Sequence, residues 1–386
     1  MMISDPALFG TATAAAAASF AASVLIVLTE KWHEKLSSDS DMRGAQKFHK
    51  RPVPRIGGVA LIAGLFAAIM FGVQQWTDIP PKNHAGALTL LLLAALPAFA
   101  AGLLEDLTKK VSVGSRLLAT FASALVACLL LDAYLPRLDI WGIDALLRMV
   151  PIAIVVTAFA VAGMANSVNI IDGFNGLAGS TVVLMQAGMA FLAWQSGDLF
   201  VTRLAMAGIG ATIGFLLLNY PAGRLFMGDG GAYLLGFWTA EVAVLIVARN
   251  PSINAWQIFA ICAYPIIEVL FSIYRKKFIR KMSPGLPDRL HFHMLVYRRY
   301  VCQIVPAAGK RLWVRNALVT CVVLSWTMPL MALSVVFGTT AKGAIAMVLL
   351  QVFLYLAVYT RLVRGHWCLN PAEVFGLLPQ QKVKSR

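Results

Sequence analysis

The sequence predicts an all-α, polytopic integral membrane protein with about eleven transmembrane helices, and three observations lead there. Hydrophobic residues make up 59% of the 386 residues and charged residues only 13%, against an apolar share of about 45–50% in soluble domains. The apolar residues fall into runs near the length of about 20 that crosses a bilayer as helix. The 33 Lys and Arg against 18 Asp and Glu gather in alternate segments between those runs, as cytoplasmic loops do. A coiled coil, a disordered chain and a small disulfide scaffold are excluded. The positive balance belongs to loops, so no nucleic-acid partner is expected. Five cysteines, at 128, 262, 302, 321 and 368, form no C-x-x-C pair and predict neither a metal nor a disulfide framework.

The first run, 7–29, has no basic residue before it and Lys31 after it. That is the reverse of a secretory signal, whose positive region comes first, so the run is expected to remain as a span. Others follow near 56–74, 86–104, 115–135, 149–165, 177–194, 200–218, 232–248, 254–273, 313–337 and 343–360. A backbone facing lipid must satisfy its hydrogen bonds within its own segment, so each is predicted helical. On one side of the alternation lie 27 Lys and Arg, on the other six. This places the N-terminus in the periplasm and the C-terminus in the cytoplasm. No repeat and no separate soluble domain is visible, so residues 1–365 are expected to form a single transmembrane domain and 366–386 a cytoplasmic tail. The G-I-G-A-T-I-G stretch at 208–214 lies inside a run and suits close helix packing through Gly210 and Gly214.

Carboxylates are costly near lipid, about 2.5–3.5 kcal/mol for Asp at a helix centre on the insertion scale, so acids at run ends invite a reason. Glu105 and Asp106 follow the third run, Asp172 the fifth, Asp229 precedes the eighth, and Asp288 lies in the large basic loop. All fall on the side assigned to the cytoplasm. Solvation or helix capping is the plain alternative for each. Their context adds more. Asn166, Asn169, Asp172 and Asn175 recur every three residues, which on a helical turn would put them on one face. Asp229 is flanked by glycines that let a backbone approach a ligand, and a helix start of this kind can hold phosphate on its N–H groups.

His291 and His293 stand two apart after Arg289. Zinc needs three or four protein ligands, and no further partner is evident. A cation with two imidazoles suits an anionic phosphate better. The first loop adds His49, Lys50, Arg51 and Arg55 beside Gly57 and Gly58, which also suits anionic lipid headgroups. Hard oxygen ligands ringed by fixed cations suit magnesium and phosphates together, and such a site fits phosphoryl transfer. Glu241 and Glu268 lie within runs. They are functional candidates by position, with a buried structural bond as the competing reading, and they stand outside the expected catalytic set.

Five motifs in order, H-K-R-P-V-P-R-I-G-G, G-L-L-E-D-L-T-K-K, N-S-V-N-I-I-D-G-F-N-G-L-A-G, N-Y-P-A-G-R-L-F-M-G-D-G-G and P-D-R-L-H-F-H-M, resemble the polyprenyl-phosphate N-acetylhexosamine-1-phosphate transferases, glycosyltransferase group four. The resemblance implies an enzyme of the bacterial inner membrane whose active site faces the cytoplasm. It would join the sugar phosphate of a UDP-sugar to undecaprenyl phosphate with Mg2+, or Mn2+ in its place, and release UMP. This would be the first membrane step of a cell-surface polysaccharide such as O-antigen, common antigen, capsule or teichoic acid. Membrane lipids are expected partners, and the sequence leaves open whether the protein is a homodimer.

By the same resemblance Glu105, Asp106, Asp172, Asp229, His291 and His293 form the catalytic set, with Asp229 and Asp106 at the metal. Arg51, Asn166, Asn169, Asn175, Asn219 and Arg289 would bind substrate. Three departures stand out: Glu105 replaces the usual first Asp of a pair, Asn175 stands where the muramoyl-pentapeptide branch has Asp, and Met294 stands where many relatives have His. That muramoyl-pentapeptide transferase is the close alternative. A proton-coupled secondary transporter is the alternative from another class, though its site would lie near the midplane between repeats.

Overall fold

The computed structural model describes residues 6–37, 52–75, 84–283, 285, 288–305 and 312–364. All regular structure among them is helical. In chain order the helices are α1 (Pro6–Leu28), α2 (Glu30–Ser37), α3 (Gly57–Gln75), α4 (His84–Thr108), α5 (Val113–Leu131), α6 (Ile143–Leu147), α7 (Val150–Ile171) and α8 (Leu177–Gln195). They continue as α9 (Leu199–Asn219), α10 (Gly228–Arg249), α11 (Ala255–Ile261), α12 (Ala263–Tyr274), α13 (Phe292–Val296), α14 (Cys302–Ile304), α15 (Leu312–Phe337) and α16 (Ala341–Arg364).

Each of the eleven apolar runs is occupied by helix, but the helices are not all spans. Among the described residues nine are long and apolar enough to cross a membrane. The apolar stretch Gly57–Gly72 of α3 is shorter, and the run at 254–273 is broken into α11 and α12, bent by 80°. Counting that bent pair as one gives ten. Its break has a local cause. Pro265 has no N–H to donate to the carbonyl of Ile261, and its ring opposes a helix continuing through that point. In α4 the interior Pro97 is tolerated, and the neighbouring Ala98 N–H is taken by Ser123 Oγ of α5 at 2.9 Å, the kind of side-chain substitution that keeps membrane helices satisfied.

The bundle is organised around α10, which touches α3, α4, α5, α7, α8 and α9. Its first two turns are mostly small residues, so neighbouring backbones come close. A Cβ on Gly102 of α4 would lie 2.6 Å from the Asp229 carbonyl oxygen, and one on Gly58 of α3 would lie 2.5 Å from Gly231 N. Gly210 and Gly214 of α9 sit against the α1 backbone at Ala12 and Ala16, as their spacing predicted. The tail at 366–386 lies outside the described residues.

Candidate active site

The close approach of α4 to α10 decides where the acids go. Asp106 follows Gly102 by one turn and so shares its face. Its carboxylate, 2% exposed, accepts the N–H groups of Asp229 and Gly230, both at 2.8 Å. It therefore caps the N-terminus of α10, where an anion meets unpaired N–H groups and the helix dipole. This corrects one expectation: the N–H groups expected to be free for phosphate are held by Asp106.

Asp229 lies in the first turn of α10. Its Oδ1 accepts from Asn169 Nδ2 of α7 at 3.0 Å, and its Oδ2 is paired with Arg116 of α5. The Arg116 guanidinium also lies over the Tyr233 ring, 5.6 Å from its centroid. Arg55, just before α3, reaches Asp106 Oδ1 at 3.5 Å and Asp229 Oδ1 at 3.8 Å. Asp172 caps the C-terminal end of α7 within electrostatic reach of Arg55 and Asp106. Burial pushes its carboxyl up to about 7, against the opposing pull of Arg55.

The other residues singled out by sequence divide. Asn166 accepts from the Tyr233 hydroxyl at 3.4 Å and Asn169 meets Asp229, but the expected four-residue face stops there. Helix α7 ends at Ile171, and the chain turns through Gly173 and Gly176, the latter at φ +78°. Asn175 is thereby carried off the face. Its Nδ2 donates to the Pro221 carbonyl at 3.0 Å, and its backbone is held by Asn316 and Thr320 of α15. Asn219 accepts from Gly176 N–H at 2.6 Å and donates to the Leu225 carbonyl at 2.8 Å. Both groups of Asn219 thus clamp two loops, where a ligand contact was expected. Glu105 accepts the N–H of Val111 at 2.7 Å and so closes its own loop. Arg51 lies outside the described residues.

The histidine loop joins the same end. His293 is fully buried, both ring nitrogens lack a hydrogen-bond partner among the described residues, and a Cβ on Gly173 would lie 3.0 Å from its Nε2. Its imidazole therefore borders the Asp172–Gly173 turn. Burial holds it neutral, down at about 3. His291 stacks on His293, with ring centroids 5.5 Å apart. Arg289 is exposed, and its carbonyl accepts from Arg298. Asp288 pairs with Arg275 and Arg280, and the Arg275 hydrogen bond holds its carboxyl below the usual range despite burial. It anchors the loop.

Sequence reasoning missed Arg116 as a site residue, since a lone Arg at the start of an apolar run carries no spacing signal. Arg55 was visible in its motif only as positive charge. With both included, the end of the bundle gathers three aspartates, two arginines and an asparagine from α4, α5, α7, α10 and the strand-like approach to α3. The donors facing inward are hard oxygens. Among the described residues no three or more His, Cys, Asp or Glu side chains are placed to hold an ion by themselves. Magnesium, which commonly takes one or two carboxylates and fills its shell with water and phosphate, fits such a donor set; a closed zinc cage does not.

Acids and arginines massed at one end of a helical membrane bundle make a site suited to charged groups. Comparison with known proteins identifies it further. The model of glycosyl transferase family 4 matches residues 88–247, which include every aspartate of the site. The undecaprenyl-phosphate alpha-N-acetylglucosaminyl 1-phosphate transferase of Yersinia pestis is 31% identical over 67% of this chain and 69% of its own. Those of Salmonella typhi and Escherichia coli K12 are 29% and 28% identical over the same shares. The chain belongs to glycosyl transferase family 4, the polyprenyl-phosphate sugar-1-phosphate transferases, and is a phosphotransferase. The transporter alternative is thereby set aside.

Proposed function

We propose that this protein transfers an N-acetylhexosamine 1-phosphate from a UDP-sugar to undecaprenyl phosphate, giving undecaprenyl-pyrophosphoryl-sugar and UMP. The reaction takes place at the cytoplasmic face of the bacterial inner membrane and opens the synthesis of a cell-surface polysaccharide. The observation that carries this reading is the convergence of Asp106, Asp229, Asn169, Arg55 and Arg116 at one end of α10. The relatives, named for N-acetylglucosaminyl transfer, favour it over the muramoyl-pentapeptide branch.

In the step itself an oxygen of the lipid phosphate forms a bond to the sugar-bearing phosphorus, and the bond from that phosphorus to the bridging oxygen breaks. UMP leaves with the bridging oxygen. A phosphate whose second pKa is near 6 is already largely ionised at neutral pH, so no residue has to act as base. Positioning and charge do the work.

Asp229 and Asp106 would hold the magnesium ion, which when bound neutralises charge on the diphosphate. Asp229 is the more accessible of the two, its side chain 16% exposed against 1%, whereas Asp106 fixes the turn that aims it. Arg116 occupies Asp229 Oδ2. With Asp229 engaged elsewhere, the Arg116 guanidinium would be free for phosphate, where its planar fork suits two oxygens. Arg55 spans both carboxylates and stays as a fixed charge. Asn169 orients Asp229, and His293 with its open nitrogens borders the donor end.

The test is purified protein with undecaprenyl phosphate, magnesium and a panel of UDP-sugars. UMP release and lipid labelling with one N-acetylhexosamine are expected. No product with any sugar would remove the reading.

A further inference from the structure

Glu268 was left outside the catalytic set by sequence, yet both its carboxylate oxygens are engaged. It lies on α12, the second limb of the bent pair, and is fully buried. Its Oε1 meets His291 Nδ1 at 2.8 Å, its two oxygens accept the Phe292 N–H at 3.2 and 3.3 Å, and the Tyr355 hydroxyl of α16 donates to Oε2 at 2.8 Å. A second tier sits beside it. Arg275 holds Asp288 and the Tyr359 hydroxyl, which donates in turn to the Leu290 carbonyl at 3.0 Å. Residues 288 to 292 are thus bolted between α12 and α16.

Bolting a loop does not by itself require a buried carboxylate. Taking a charge out of water costs several kcal/mol unless its bonds are nearly complete, and apolar packing could pin a loop. A carboxylate does one thing apolar packing cannot: it selects a proton position on an imidazole. An ionised carboxylate only accepts, so the ring nitrogen facing it must carry the hydrogen. The other nitrogen, Nε2, is then the one left to face a ligand. Among the described residues the His291 ring makes no other hydrogen bond, and the side chain keeps 7% of its surface open.

We propose that Glu268, steadied by Tyr355, is a positioning residue of the transfer reaction that holds His291 with its proton on Nδ1 and turns Nε2 to the phosphate or sugar of the donor. This rests on the transferase reading for the identity of the donor, while the placement of the proton does not. Carboxylate partners of this kind that orient a working histidine typically change activity by about 10–100-fold when removed.

Two measurements decide it. Nitrogen-15 spectra of histidine-labelled full-length protein, with the His291 signals assigned by difference against His291→Gln, should show neutral His291 as the Nδ1–H tautomer in the wild type. An Nε2–H tautomer would overturn the proposal whether or not the enzyme is a transferase. Steady-state assays should show kcat for UMP release falling about 10–100-fold in Glu268→Gln, with KM for undecaprenyl phosphate unchanged. Tyr355→Phe, which leaves the His291 pair in place but removes the hydroxyl donor from the far carboxylate oxygen, should lose several-fold, and it serves if Glu268→Gln does not fold. Wild-type kcat in the folded variants would overturn the proposal. A wild type that releases no UMP from any donor would count against the transferase reading instead, and the tautomer would then judge Glu268 alone.

Discussion

The two ends of the bundle carry the same kinds of charged residue and use them differently. At the end away from the motifs, Asp198 accepts from Arg249 Nε at 2.7 Å, Asn250 Nδ2 at 3.1 Å and the Val201 N–H at 3.2 Å. Arg137 pairs with Asp139 at 2.6 Å and donates to the carbonyls of Asn250, Pro251 and Ile253, while Asp139 accepts the N–H of Ala255. In each cluster one acid faces one arginine, and the remaining bonds tie loops to helix ends. At the motif end three aspartates face two arginines, leaving one negative charge in excess when all are ionised, and a buried histidine has two idle nitrogens. A cluster that closes on itself fixes geometry. One that does not close is arranged for something that arrives.

The sharpest way to break this comparison is to make the same change at both ends. Asp229→Asn should lower UMP release by on the order of 10²–10³-fold, the range for losing one preorganised electrostatic group, with little change in thermal midpoint. Asp198→Asn should do the opposite: a lower midpoint in a detergent melt and turnover close to wild type. Equal losses of activity at both ends would show that the contrast in charge balance has no functional meaning.

Arg116→Gln comes next. A hydrogen bond to a charged group contributes about 1.5–3 kcal/mol, so kcat/KM for the UDP-sugar should drop roughly 10- to 100-fold. Arg116→Lys should recover only part of it, because an ammonium carries the charge without the fork. Full recovery by Lys would mean that the residue acts only as a point charge. Glu105→Asp should cost less. Glu105 bonds to the Val111 N–H of its own loop, so a shorter acid loses a contact worth about 1 kcal/mol to folding and keeps turnover. Loss of turnover in a folded Glu105→Asp would place that carboxylate in the chemistry.

What could be read in advance follows from the range of the forces concerned. Hydropathy put helix in each apolar run it marked, because burial in lipid acts on segment composition, but nine of those helices, or ten with the bent pair, are long and apolar enough to cross a membrane among the described residues. It did not show the bend at Cys262, where one proline inside an otherwise apolar run decides the matter. The aspartates were legible as acids out of place, and the contact of Asp106 with the start of α10 was not, since it depends on Gly102 letting two backbones touch. Three-residue spacing suggested one polar face from Asn166 to Asn175. It failed at Gly173, because periodicity assumes a helix that two nearby glycines end. The ion pair of Arg116 with Asp229 joins residues far apart in the chain, and no local pattern encodes it.

The smallest effect at neutral pH tests the open end by another route. His293, held down at about 3 by burial, stays neutral in the folded protein across a range in which an unfolded chain, with an ordinary value near 6.5, binds a proton. The unfolded state therefore holds the extra proton between those values, and stability must fall as pH drops from about 6.5 toward 3. In His293→Gln that loss should be shallower by one proton, at most about 1.4 kcal/mol per pH unit, with little difference at pH 8. Melts of both proteins across this range would show it. Parallel curves would mean that His293 has found a partner or solvent, and then the idle nitrogens beside Asp172 would no longer distinguish the two ends.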